Sequence, residues 1–222
     1  GMPEVQYRET ITRTVDWTYT HKQAGPSQYA VLRIQLVPLA RGCGIETEIR
    51  CPSDEIPEHI PLPEFQRAID AGVHAACRTG IVDGFPLTDL QVVVLDAGWT
   101  DEDSTADAFV IAARLGLRGA LPRARPWLLE PMMVVVALTP EEFVSDVIAD
   151  FGHRRGKMQG LAMHGSIASV TALVPFANLA GYENDLRALT QRRGAATMAF
   201  DHYGEVPPRL EGEDTLPLAM RV

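Results

Sequence analysis

Cysteine is scarce in this 222-residue chain and follows no pattern: Cys43, Cys51 and Cys77 form no CxxC pair. An odd count without spacing excludes a disulfide framework and suggests reduced, partly buried thiols in a cytoplasm. Long apolar runs are missing too. None approaches the ~20 residues a membrane helix needs, so no membrane partner is expected. The N-terminus carries no charged stretch, apolar core and cleavage site in succession, hence no secretion signal. Positive charge is in the minority, with Lys+Arg 20 against Asp+Glu 29 and a net charge of −9. That balance argues against a protein that coats nucleic acid by charge alone, and leaves local RNA contact through a few basic loops open.

The usual catalytic signatures are absent as well. No GxxxxGKS or GxxxxGKT phosphate loop occurs, no GxGxxG follows a strand, and there is no GxSxG elbow. The six histidines, at 21, 59, 74, 153, 164 and 202, show neither HxxxH nor HxH spacing, so no metal site and no catalytic residue is expected.

What is present is an ordinary globular composition, 46% hydrophobic and 22% charged, enough for one large domain or two small ones. Residues 6–19 suit a strand pair or one long strand. "AGPSQ" (24–28) is turn chemistry. "YAVLRIQLVP" (29–38) and "GIETEIR" (44–50) alternate as half-buried strands. From Pro63 the period becomes helical, with Phe65, Ala68, Ile69, Gly72, Val73, Ala76 and Cys77 on one face and Gly80 as the stop. "LQVVVLDA" (90–97) is a continuous apolar run, expected of a strand covered on both faces.

The loop "DAGWTDEDST" (96–105) could suggest a metal site, but its acids miss the spacing of a calcium loop. Its acids read better as the start of a helix reaching about Leu121, capped by Ser104 with Asp107 closing the box. Trp99 at the apex is then either docked or waiting for a partner. Beyond Trp127, strand 131–138 is followed by "TPEE" (139–142), a helix cap. The face Val144, Val147, Ile148 and Phe151 comes next, then strands at 157–163 and 167–174, a helix within 176–190 and a strand at 195–201. The order β-α-β-β-α-β is ferredoxin-like. Basic residues gather at "HRRGK" (153–157) and "RALTQRRG" (187–194).

"VQYRETI" (5–11), "LLEPMMVVVALTPEEFVSDVIADFGHRRGKMQG" (128–160) and "ALVPFANLAGYENDLRALTQRRGAATMAFDHYGEVP" (172–207) closely resemble the C-terminal third of translation elongation factor G. The resemblance implies an α+β chain of two domains. Residues 3–126 would be the family's fourth domain, a βαβ fold with a left-handed crossover like domain two of ribosomal protein S-five. Residues 127–203 would be its ferredoxin-like fifth domain, and 204–222 a tail packing back on the first.

The resemblance further implies partners and cofactors. The fourth domain's tip enters the small-subunit decoding centre, where tRNA and mRNA lie; the fifth rests near the sarcin–ricin loop and stalk base of the large subunit. GTP and magnesium belong to an N-terminal domain missing here, so this fragment is expected to be no enzyme although its parent is a translational GTPase. The tip maps to Gln28 and Tyr29 and to Gly98, Trp99 and Thr100; Arg154, Arg155 and Lys157 are candidate ribosome contacts. Two tip positions differ from the family: Pro26 stands for its arginine and Thr100 for its histidine. A tetracycline-resistance ribosomal protection protein, or a stand-alone binding module without a GTPase, are the competing readings.

Overall fold

A computed structural model of the chain describes residues 6–22 and 28–208. They form two compact units, one of Arg8–Leu128 with the segment from Val206, the other of Leu129–Glu205 with Gln6 and Tyr7. Residues 24–27 of the first tip loop, and the tail beyond Pro208, lie outside the described residues. No helix among the described residues is long and apolar enough to cross a membrane.

In the first unit the strands are β1 (Arg8–Ile11), β2 (Val15–Lys22), β3 (Tyr29–Pro38), β4 (Ile45–Ile49) and β5 (Leu90–Gly98); the helices are α1 (Leu62–Cys77) and α2 (Ala106–Ala120). Four strands make a sheet in the order β2-β3-β5-β4. Its first two pairings are antiparallel and β4 runs parallel to β5, so β4-α1-β5 is a crossover unit. Alternation along β3 decides the inner face: Ala30, Leu32, Ile34 and Leu36 are buried with Phe65, Ile69 and Phe109 of the two helices. The outer face carries Asp16, Thr18, Arg33 and Glu46, all exposed. The apolar run of β5 is therefore covered by helices on one side only. Val93, which points the other way, is shielded between its cross-strand neighbours Gln35 and Glu48.

The expected apolar face of α1 is buried at all seven positions. Gly72 is there for a packing reason, since a Cβ would sit 2.3 Å from Val110 O on α2. Gly80 does not stop the helix, which gives way at Arg78. It is needed because a Cβ there would lie 2.2 Å from the carboxylate of Glu9. That carboxylate, fully buried, accepts backbone N–H groups from Val82 (2.6 Å), Asp83 (3.1 Å) and Phe85 (2.8 Å). An anion is tolerated in the interior when several oriented amide dipoles surround it.

The second unit contains most of β6 (Pro126–Pro140), then α3 (Val144–His153), β7 (Lys157–His164), β8 (Ile167–Pro175), α4 (Tyr182–Leu189) and β9 (Ala195–Glu205). β6 pairs with both β8 and β9, and β8 with β7, all antiparallel. The resulting order β9-β6-β8-β7 is the ferredoxin-like arrangement. Met133, Val135, Val170, Ala172 and Val174 meet Val147, Phe151, Tyr182 and Leu186 of the helices in one core. Of the expected α3 face, Val147 and Phe151 are buried, whereas Val144 and Ile148 pack at its margin.

The "TPEE" helix cap is not realised. Thr139 and Pro140 continue β6, paired with Ala168 and Ile167, and the chain enters α3 through a 3-10 turn at Glu141–Phe143. Thr139 donates its hydroxyl to Pro140 O at 3.2 Å rather than accepting a helix N–H. Extra cross-strand pairing with β8 outcompetes a cap whose worth is about 1 kcal/mol.

Candidate functional site

Two chain segments far apart in sequence meet at one end of the first sheet. Tyr29 opens β3, and β5 ends at Gly98, which pairs with Val31 so closely that a Cβ would lie 3.0 Å from the valine Cβ. Beyond Gly98 the loop 99–105 folds back on itself. Tyr29 N–H donates to Asp103 O at 2.8 Å, and Ser104 Oγ–H donates to Tyr29 O at 2.6 Å. Gln28 forms a β-bridge with Ser104, and its Oε1 lies 3.3 Å from Nε2 of His21.

Ser104 is the knot of this arrangement rather than the cap of α2. It is buried, its hydroxyl also accepts Thr100 N–H at 3.0 Å, and its own N–H donates to Thr100 O at 3.2 Å. The cap is the next residue: Thr105 Oγ1 accepts Ala108 N–H at 3.4 Å. Either hydroxyl suits a cap by local chemistry, and the demand of Tyr29 on Ser104 decides between them. Thr100 is exposed, and its Oγ1 accepts Asp103 N–H at 3.2 Å. Trp99 is docked, half-buried against the hydrophobic core. The acids of this loop form no metal cage, and among the described residues no group of three or more His, Cys, Asp or Glu is placed to hold a metal ion.

One residue of this site has no signal in the sequence. His59, in the segment between β4 and α1, directs Nε2 at Ser104 O (2.5 Å) and holds Nδ1 3.7 Å from Asp101 Oδ1. It lies 45 positions from Ser104, beyond the reach of any motif. Lys22, paired with Tyr29 at the end of β2, is exposed at the same end of the sheet.

The basic cluster at 153–157 divides into structural and open charges. Arg154 caps α3, and its guanidinium is used on every side. Nε meets Asp150 at 2.9 Å, Nη1 donates to Asn178 O at 3.0 Å, Nη2 meets Asp185 at 2.5 Å, and the group lies 5.0 Å from the Tyr182 ring centre. Burial disfavours its charge, but the two carboxylates outweigh this and hold its pKa above the ordinary arginine value. Arg155 adopts a left-handed backbone (φ 61°) and grips the buried Glu130 with both terminal nitrogens, at 2.7 and 3.3 Å. Lys157, one of only two lysines in the chain, heads the edge strand β7 and is exposed. Among the described residues it has no ion-pair partner. In the second cluster, Arg193 pairs with Glu142 and lies over Phe143.

Known proteins match this arrangement along nearly its full length. The family model described as elongation factor G, domain IV, matches residues 3–125, and that described as elongation factor G C-terminus matches 127–213. An elongation factor G from Rhodopseudomonas palustris (strain BisB18) is 38% identical over 216 residues, which cover 96% of this chain and 30% of that protein. A crystal structure of a protein from Thermus thermophilus superposes with a TM-score of 0.81 at 34% identity, covering 94% of this chain and 31% of the other. The chain thus spans about a third of the length of these relatives. Two matched domains in succession, a solved relative with the same fold and a shared sequence identity well above chance lead to one conclusion: this chain belongs to the elongation factor G family, as its domain IV followed by its C-terminal domain.

Proposed function

We propose that these residues are the ribosome-contacting part of an elongation factor G-type translation factor acting in tRNA–mRNA translocation. GTP and magnesium would be handled by a domain of the parent outside these residues. The observation that carries this reading is the knot at one end of the first sheet, where two hydrogen bonds join Tyr29 to Asp103 and Ser104 and two more tie Ser104 to Thr100 within the loop. A loop so cross-tied keeps its shape when pressed against RNA, and it joins the two stretches that correspond to the family's decoding-centre tip. In the second unit, Lys157 supplies an open positive charge for the large subunit near the sarcin–ricin loop and stalk base, whereas Arg154 and Arg155 hold their own domain together.

Co-sedimentation with ribosomes over a salt series tests this. Binding should weaken as salt rises, and Lys157→Ala should lower the slope of log affinity against log salt by about one. Failure to pellet with ribosomes at low salt would overturn the reading. Thr100 keeps a second reading in view, a ribosomal protection protein that dislodges tetracycline, because a neutral hydroxyl bonded to Asp103 N–H stands at the apex. Full-length complementation of translocation, run beside a tetracycline-protection assay, separates the two.

A further inference from the structure

We infer that His59 is a positioning residue for the 98–105 loop, a proton-sensitive latch that sets the loop's shape from outside it. Ser104 O precedes the N-cap of α2. The first N–H groups of that helix go instead to Thr105 O, from Ala108 at 3.1 Å and Phe109 at 3.4 Å. A carbonyl of a buried residue at such a place needs a donor from elsewhere. His59 Nε2–H supplies it at 2.5 Å. The imidazole stands on a firm base: its neighbours Ile56 and Ile60 are buried in the core, and Ile60 N–H closes a turn onto Pro57 O at 3.1 Å.

The other ring nitrogen adds the proton dependence. A neutral imidazole that donates from Nε2 presents a bare lone pair at Nδ1, 3.7 Å from the Asp101 carboxylate. Only the imidazolium donates from both nitrogens and so grips Ser104 and Asp101 together. The charged residues within five positions of His59, Asp54, Glu55, Glu58 and Glu64, and those of the loop, Asp101, Glu102 and Asp103, are all acidic, while Arg50, earlier in the same segment, is paired with Glu48. Uptake of a proton at His59 therefore draws Asp101 inward and tightens the turn that carries Trp99 and Thr100. This deepens the reading of the loop as a ribosome contact and rests on it only where ribosomes are concerned.

Amide hydrogen exchange on the 222-residue chain tests the latch directly, read at Thr100 N–H and Tyr29 N–H, whose acceptors are Ser104 Oγ and Asp103 O. His59→Phe removes both donors and should speed exchange at these amides by about five- to tenfold. His59→Gln keeps an uncharged N–H and should retain most of the protection. After correction for intrinsic exchange, the wild type should lose protection with rising pH as the second donor of the imidazolium is removed. His59→Gln should show no such trend. Unchanged exchange in His59→Phe would overturn the latch. Should that variant unfold, the pH profile decides: parallel profiles in wild type and His59→Gln overturn the proton-sensitive role. Ribosome co-sedimentation of His59→Phe separates the two ideas. A loosened loop with unaltered binding leaves the latch standing and sinks the loop's part in ribosome contact.

Discussion

In each unit of this protein a charged side chain ties loops together, Glu9 in the first and Arg154 in the second, and the two are built in opposite ways. In the first, the Glu9 carboxylate is held by three backbone N–H groups from the segment after α1 and by no cation among the described residues. In the second, the Arg154 guanidinium is held by two carboxylates, a carbonyl and an aromatic face. Both residues sit inside the stretches that carry the family resemblance, "VQYRETI" and "FGHRRGK". A charged letter in a family signature invites a functional reading, yet here it does architectural work. The open charge, Lys157, is the less conspicuous residue two positions beyond the arginine pair.

The largest expected effect comes from breaking the anion nest. Glu9→Ala leaves three N–H groups without their acceptor, each worth about 1–3 kcal/mol if it stays unsatisfied. A net loss of about 4 kcal/mol is expected, because water entering the vacated space recovers part of the cost. Denaturant unfolding measures the total, and accelerated exchange at Val82, Asp83 and Phe85 localises it. Gly80→Ala sharpens the point. Its Cβ collides with the Glu9 carboxylate in the wild type, so the double variant should be less damaged than the two single losses summed, by about 2 kcal/mol. Additive losses would mean that the nest does not constrain Gly80.

Arg154→Ala comes next. It removes a guanidinium whose side chain is only 13% exposed and frees Asp150, which is 19% exposed; breaking such a pair costs about 3 kcal/mol. Arg154→Lys should recover less than half, because a point charge cannot serve Asp150, Asn178 O and Asp185 along three directions at once. The loss should appear in exchange from α3 and α4 and leave the first unit untouched. If both units weaken equally, the view of Arg154 as an internal hub of one domain is wrong.

These contrasts show what could be read from residue order and what could not. Periodicity revealed the buried face of α1 and the alternation of β3, because each residue there answers to a single core a few ångströms away. Local chemistry proposed Ser104 as the helix cap and "TPEE" as a second cap. In both cases a partner remote in sequence, Tyr29 or β8, made a stronger demand on the same groups. The acceptor role of Glu9 spans 73–76 positions, and that of Ser104 O spans 45. No spacing rule reaches that far. The loop apexes were legible through resemblance, but the hydrogen bonds between them and the hand of His59 were not, since topology alone brings them together.

The smallest effects lie in two hydrogens that each unit keeps on a buried group. Burial pushes the Cys77 thiol from 9.0 up to about 12 in the first unit, and burial followed by the nearby Asp150 raises the Tyr182 hydroxyl in the second. The sign is the same for both. The unfolded chain releases its proton first as pH rises, so the stability is intact below the unfolded value and is lost above it. For Cys77 the loss begins near pH 9 and reaches about 1.4 kcal/mol one pH unit higher; Cys77→Ala should remove that slope from the first unit. The Tyr182 hydroxyl is also buried without a hydrogen-bond partner among the described residues. Tyr182→Phe keeps the ring, its stacking on Phe151 at 5.5 Å and the face offered to Arg154, while discarding an unsatisfied polar group. It should change stability at neutral pH by less than about 1 kcal/mol, in the stabilising direction. It should also flatten the fall of the second unit above about pH 10, where free tyrosine ionises. A clear destabilisation on losing this one oxygen would mean that the hydroxyl has a partner, and that the Arg154 hub extends one residue further than its carboxylates.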